Sequence, residues 1–217
     1  MSGYALFISG TDTGVGKTQV TLALIAALQN KLLRVAAYKP CETGGGDDAD
    51  RLQRATGQRL PTIRYRFALP AAPQIAAAIE GISIDLQRIA DDLRALRDEA
   101  DVVLIEGAGG LLVPLADQQT FADLFASLQI PTLLVARPCL GTINHTCLSI
   151  EAALRRGLPL LGFVFSRRAP ATGADEPMNA LAISRTTGVP HLGTLRPSNP
   201  PCPDDLDAVV SALRSRA

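Results

Sequence analysis

Net charge is the first thing this 217-residue chain lacks, since 21 Lys and Arg residues balance 21 Asp and Glu. With no positive surplus and no Lys/Arg stripe, a nucleic-acid surface is not expected. Paired cysteines are also missing. Cys41, Cys139, Cys147 and Cys202 fall at none of the close spacings used by zinc or redox sites, so they read as buried or incidental thiols of a reducing compartment. No apolar run approaches the roughly twenty residues that cross a bilayer, and no membrane partner is expected. The apolar stretch Tyr4-Ala5-Leu6-Phe7-Ile8 has no Lys or Arg ahead of it, which denies it the charged flank of a signal peptide. The expected address is therefore the cytoplasm. Histidine is scarce, with two in the chain, and His145 has no acid or metal partner nearby in sequence, so it reads as structural. Internal repeats, low-complexity linkers and composition breaks are absent too. The chain reads as one domain over residues 1–217, with 47% hydrophobic residues to supply a core.

What is present is an alternation of short apolar runs with amphipathic stretches. Tyr4–Ile8, Arg34–Tyr38, Val102–Ile105, Thr132–Ala136, Leu160–Phe165 and His191–Leu195 read as buried strands. Between them lie helical patterns such as Asp85–Glu99, where Leu86, Ile89, Leu93 and Leu96 recur at three- and four-residue steps. Near-continuous apolar strands separated by helices predict an α/β fold, a mostly parallel sheet with helices on both faces. Ligands of such sheets collect outside the carboxyl ends of the strands, so the segments after each strand carry the functional reading.

After the first strand comes Ile8-Ser9-Gly10-Thr11-Asp12-Thr13-Gly14-Val15-Gly16-Lys17-Thr18-Gln19. It departs by one residue from the phosphate-loop pattern of Gly, four residues, then Gly-Lys-Ser/Thr: the glycine stands at position 10 and Thr11 takes its usual place. Gly14 and Gly16 let the backbone turn its N–H groups inward at the positive end of a helix predicted over Lys17–Gln29. Gly14, Val15, Gly16, Lys17, Thr18 and Gln19 are the candidate nucleotide cradle of a P-loop fold, with Lys17 reaching the β- and γ-phosphates and the Thr18 hydroxyl a ligand for Mg²⁺.

Lys39 follows the second strand in Lys39-Pro40-Cys41-Glu42-Thr43-Gly44, placed either to hold anionic substrate groups or as a solvated lysine at the sheet rim. Asp47-Asp48-Ala49-Asp50 opens a helix, where acids serve as N-caps or, facing phosphates, as magnesium ligands. After the third strand, Glu106-Gly107-Ala108-Gly109-Gly110 offers an acid as a second metal contact and glycines that allow backbone to approach a ligand. After the fourth, Thr142 in Leu140-Gly141-Thr142-Ile143-Asn144-His145-Thr146 is a candidate helix cap.

Together GTDTGVGKT, KPCETG, the helix start at Asp48, EGAGG with LLVPL, and LGTINHT resemble the dethiobiotin synthetase family, in order and spacing from Gly10 to Thr146. The resemblance implies a dimerising parallel α/β fold that joins 7,8-diaminononanoate, CO₂ and ATP to give dethiobiotin, ADP and phosphate. By position it implies that Lys17 contacts nucleotide phosphates, that Thr18, Asp48 and Glu106 surround Mg²⁺, and that Lys39 and Thr43 handle the carbamate substrate, Lys39 being the catalytic candidate. It also explains the lengthened loop, which in the family sets Thr11 and Asp12 beside the reacting phosphate and substrate. Related partitioning ATPases carry a signature lysine where this chain has Asp12. Three departures stand out. Gln74 replaces a histidine frequent in relatives, Leu195-Arg196-Pro197 is a weak match to a base-lining segment, and Ser166-Arg167 stands where an Asn commonly reads the base. A hydroxyl in place of a donor–acceptor amide predicts that ATP, CTP and GTP support turnover within about tenfold of one another.

Overall fold

The computed structural model describes residues 3–116, 118–167 and 175–215. In chain order the elements are β1 (Tyr4–Gly10), α1 (Lys17–Gln29), β2 (Val35–Thr43), α2 (Asp48–Thr56), β3 (Ile63–Phe67), α3 (Pro73–Ile79), α4 (Leu86–Glu99) and β4 (Val102–Glu106). They continue with β5 (Pro114–Ala116), β6 (Gln119–Thr120), α5 (Phe121–Ser127), β7 (Thr132–Ala136), α6 (Thr142–Arg155), β8 (Leu160–Ser166), α7 (Asp175–Thr187), β9 (His191–Leu195), a 3₁₀ turn at Pro203–Leu206 and α8 (Asp207–Arg214). Seven strands form one sheet in the order β3-β2-β4-β1-β7-β8-β9, and every pairing in it is parallel. β5 and β6 form a separate antiparallel pair.

Alternation sorts the side chains even in strands that are apolar throughout. From β1, Leu6 and Ile8 pack with Val20, Leu24 and Leu28 of α1 and with Val209, Val210 and Leu213 of α8. Ala5 and Phe7 point the other way, toward Ile89, Leu93 and Leu96 of α4 and toward Phe121 and Phe125 of α5. Phe7 and Phe125 stack with centroids 4.0 Å apart. Both faces are therefore covered.

Each of the six expected strands is present, and a seventh was not anticipated. β3 reads IRYRF, with Arg64 and Arg66 exposed between partly buried Ile63 and Tyr65 and buried Phe67. It lies at the sheet edge, where it needs no continuous apolar run and where outward charge discourages pairing with another chain. Arg66 pairs with Asp50 at 2.7 Å and Arg64 with Asp92.

β2 also corrects the sequence reading. It runs on through Thr43, so Lys39 sits inside the strand and not after it. Pro40 does not break it, because the Lys39 N–H goes to the Thr62 carbonyl on the β3 side and β2–β4 pairing ends at Tyr38↔Ile105. The missing Pro40 N–H thus faces a flank that pairing has already left. At α6 the cap position belongs to Gly141, and Thr142 is the first helical residue, without a capping side-chain bond. His145 is exposed on that helix. Among the described residues no helix is long and apolar enough to cross a membrane.

Candidate active site

Parallel register delivers the parts to one end of the sheet. Ile8 pairs with Glu106 and Gly10 with Val135, so β1 hands its loop over directly beside the end of β4. The displaced glycine has a steric cause. A Cβ on Gly10 would lie 2.7 Å from Val15 Cγ2 and 2.9 Å from the Asp12 carbonyl oxygen, because the lengthened loop folds back over the strand end. Gly16 caps α1 in the left-handed region at φ 103°. A Cβ there would meet Ser166 Oγ at 2.2 Å, so the loop rests on the end of β8 with no room for a side chain.

Most of the expected site residues share one cleft of about 560 Å³: Gly14, Gly16, Lys17, Thr18, Gln19, Lys39, Thr43, Asp48, Glu106, Gly107, Ala108 and Gly109 line it. Two do not. The Val15 side chain is 1% exposed and belongs to the core against α1, so it anchors the loop and leaves only its backbone to a ligand. Thr11 lines a neighbouring cleft of about 430 Å³ with Asp12, Leu112 and Leu148.

Glu106 is the hub. Its side chain is fully buried, and it accepts hydrogen bonds from Lys39 Nζ at 2.7 Å, Thr18 Oγ1 at 2.9 Å and Thr21 Oγ1 at 2.9 Å. An ionised carboxylate taken out of water needs this many charge-assisted partners to hold its charge. Lys39 also lies 3.4 Å from Asp48. Burial pulls its ammonium down, but Glu106 and Asp48 outweigh that, and its pKa ends above the ordinary lysine value. Lys17 behaves oppositely. Burial pulls it down to about 8 against the attraction of Glu106, while its ammonium donates to the carbonyl oxygens of Gly109 at 2.7 Å and Asp12 at 3.3 Å. Of two lysines in one cleft, one is held charged by carboxylates and the other, bonded to carbonyl oxygens, has its pKa lowered by burial.

Sequence reasoning missed two participants. Thr21 stands four residues after Lys17 and three after Thr18, on the helix face that looks at the loop; that spacing was the available signal. Glu42 is 2% exposed and lines the cleft, and burial raises its carboxyl. Its Oε1 accepts from the Ala49 N–H at 3.2 Å and its Oε2 lies 3.4 Å from Arg66. Asp48 and Asp50 do not cap α2: no side-chain cap bond forms there, and the two acids pair with Lys39 and Arg66 instead.

The oxygen donors Thr18 of α1, Asp48 of α2 and Glu106 of β4 line the one cleft. Among the described residues no group of three or more His, Cys, Asp or Glu is placed to hold a metal ion. Thr18, Asp48 and Glu106 are a hydroxyl and two carboxylates, the hard oxygen donors that suit Mg²⁺ alongside waters and phosphate oxygens. Cys41, inside β2, is inert, its thiol pushed up to about 12 by burial.

The family profile described as "AAA domain" matches residues 4–203. An "ATP-dependent dethiobiotin synthetase BioD" from Anaeromyxobacter dehalogenans (strain 2CP-C) is 47% identical over 189 residues, 84% of this chain and 85% of that protein. The chain belongs to the dethiobiotin synthetase family. A second member of that family, from Anaeromyxobacter sp. (strain Fw109-5), is 44% identical over 197 residues, 88% of each chain. Among solved structures, the cell division ATPase MinD of Pyrococcus furiosus covers all of both chains with a TM-score of 0.62 at 19% identity. A ParA family ATPase from Chlorobium tepidum TLS covers 99% of this chain and 89% of its own with a TM-score of 0.57 at 13% identity. Those two share the fold with this dethiobiotin synthetase family member, and at such identity the likeness goes no further than fold.

Proposed function

We infer that this chain is an ATP-dependent ligase that closes the ureido ring of dethiobiotin from 7,8-diaminononanoate and CO₂, working in the cytoplasm as one domain over residues 1–217 and as a homodimer. The carrying observation is the pair of buried lysines, Lys17 on the phosphate loop and Lys39 in β2, that share one cleft with Glu106.

The chemical difficulty is that a carbamate is a poor electrophile. One amine of the substrate adds to CO₂; the carbamate oxygen then takes the γ-phosphoryl group, giving a mixed carbamic–phosphoric anhydride and ADP. The second amine attacks the carbonyl carbon, phosphate leaves, and the ring closes. No protein nucleophile is required, so positioning and charge neutralisation are what the chain supplies. Lys17 leaves its carbonyl acceptors for the β- and γ-phosphates, and the N–H groups from Gly14 to Thr18 add preorganised donors at the positive end of α1. Lys39, already fully charged, faces the carbamate with Thr43 beside it. Thr18, Asp48 and Glu106 would hold Mg²⁺, which when bound offsets charge on the transferring phosphoryl group.

Thr11 and Asp12 serve the substrate from the neighbouring cleft. Leu112 and Leu148 are exposed along that cleft, with Leu140 and Ile143 exposed at the start of α6. An apolar rim of this kind supports cover by a second copy, which light scattering tests through the molar mass. The activity itself is tested by incubating protein, diamine, bicarbonate, Mg²⁺ and ATP and weighing the product. A mass matching dethiobiotin is expected. Phosphate release without ring-closed product refutes the reading.

A further inference from the structure

The cleft runs along the sheet end from β2, with Lys39 and Thr43, past the loop on β1, to the tails of β8 and β9. If the phosphates lie on the loop and react at the β2 end, the nucleobase points to the β8–β9 end. There Ser166 pairs with Leu195, which brings the following residues, Arg167 and Arg196, onto neighbouring strand tails, and both line the cleft. Ser166 packs against Gly16 and also lines this end of the cleft, but its single hydroxyl cannot present the paired donors of an arginine fork.

Each arginine is clamped from behind by a buried carboxylate. Arg167 donates through Nε to Glu176 of α7, whose other oxygen accepts from Thr194 Oγ1 at 2.9 Å. Arg196 donates through Nε at 2.7 Å and through its backbone N–H at 2.8 Å to Asp205, whose side chain is 4% exposed. Glu176 takes the Nε side of Arg167, whereas Asp205 Oδ1 meets both Nε and, at 2.5 Å, Nη2 of Arg196. For Arg167 this leaves the terminal Nη fork without a hydrogen-bond partner among the described residues. Two planar guanidiniums are thus fixed at one end of the nucleotide cleft, that of Arg167 with its fork open, and both are donors only.

Building on the nucleotide site proposed above, we propose that Arg167 and Arg196 determine base specificity, with Glu176 and Asp205 as positioning residues, and that the wall selects bases presenting two adjacent acceptors. Guanine offers O6 and N7 to an arginine fork; adenine sets an amino donor beside N7. Cytosine offers adjacent O2 and N3, whereas uracil carries N3–H between its two carbonyls. GTP and CTP are therefore bound through the forks, and ATP and UTP are held by phosphates and shape.

Arg167→Lys and Arg196→Lys test this, because lysine keeps the charge that Glu176 and Asp205 require and removes the fork. Steady-state kinetics with the four triphosphates, alongside calorimetry with inorganic tripolyphosphate, should show KM for GTP and CTP rising by roughly tenfold. KM for ATP and UTP should rise by clearly less, so that the ratio between the two pairs shifts, while tripolyphosphate affinity stays within about twofold of wild type. Glu176→Gln should raise KM for GTP and CTP with kcat unchanged. Equal losses for all four triphosphates and for tripolyphosphate would make the arginines phosphate contacts and overturn the proposal. So would unchanged GTP and CTP kinetics. Wild-type protein that binds no triphosphate at all would instead refute the nucleotide site itself.

Discussion

Replacing Lys39 with methionine, which keeps an unbranched stem and removes the charge, separates the lysine's two roles. In the folded protein Lys39 is 4% exposed and bonded at 2.7 Å to the fully buried Glu106. Breaking a buried pair by removing one partner costs about 3–5 kcal/mol, because the other charge is stranded. Glu106 retains the Thr18 and Thr21 hydroxyls, both at 2.9 Å, which places the expected loss near the lower bound, about 3 kcal/mol. For a chain of this length that lowers the melting temperature by about 6–12 °C. Lys39→Met/Glu106→Gln removes both charges and should recover a large part of the loss, with a coupling of about 1–3 kcal/mol in the double-mutant cycle. Turnover should fall about a hundredfold in Lys39→Met, the usual cost of one preorganised charge in a water-poor site. Nucleotide affinity should fall by less than about tenfold, since the lysine's partner is the reacting carbamate. Thermal melts, calorimetry and single-turnover kinetics read these separately. A Lys39→Met protein that melts within about 2 °C of wild type, or a strictly additive cycle, refutes the account of the pair.

Lys17, pulled down to about 8 by burial, gives a pH signature. Only its charged form suits phosphates, so nucleotide affinity should be flat below pH 7 and fall above about pH 8 by up to tenfold per pH unit. Calorimetry at pH 8 in two buffers of different ionisation enthalpy should show proton uptake on binding, and none would refute it. Thr21→Val removes one donor from buried Glu106 and should cost about 1–2 kcal/mol, visible as a lower urea midpoint, with Thr21→Ser close to wild type; equal midpoints would make the bond dispensable. Gly16→Ala meets both a left-handed backbone and the 2.2 Å approach to Ser166 Oγ. It should weaken nucleotide binding by about 1–3 kcal/mol of strain, and Ser166→Gly in the same chain should relieve the contact but not the backbone. Wild-type affinity in Gly16→Ala would show that the loop is not held as described.

The sequence alone determined the fold class and pointed to the strand ends, where about half of the residues lining the cleft were already candidates. Each of these rests on local pattern: apolar runs that must be covered on both faces, a glycine-rich turn before a helix, and acids or lysines placed after a strand. It did not disclose β3, because an edge strand with Arg64 and Arg66 facing out carries no apolar run. Nor did it disclose that Lys39 lies inside β2, since a proline is tolerated there only once pairing with β4 has ended, which is a matter of register. Thr21 and Glu42 escaped notice for the same reason. Their roles arise where α1, β2 and β4 meet, and no stretch of chain shows Thr21 and Glu106, 85 residues apart, to be hydrogen-bonded. What tertiary structure alone decided is the charge state of the two lysines. The same side chain is held charged at position 39, between two carboxylates, and pulled down to about 8 at position 17, where burial outweighs the attraction of Glu106 and the ammonium bonds carbonyl oxygens. Desolvation and partner charge act through space.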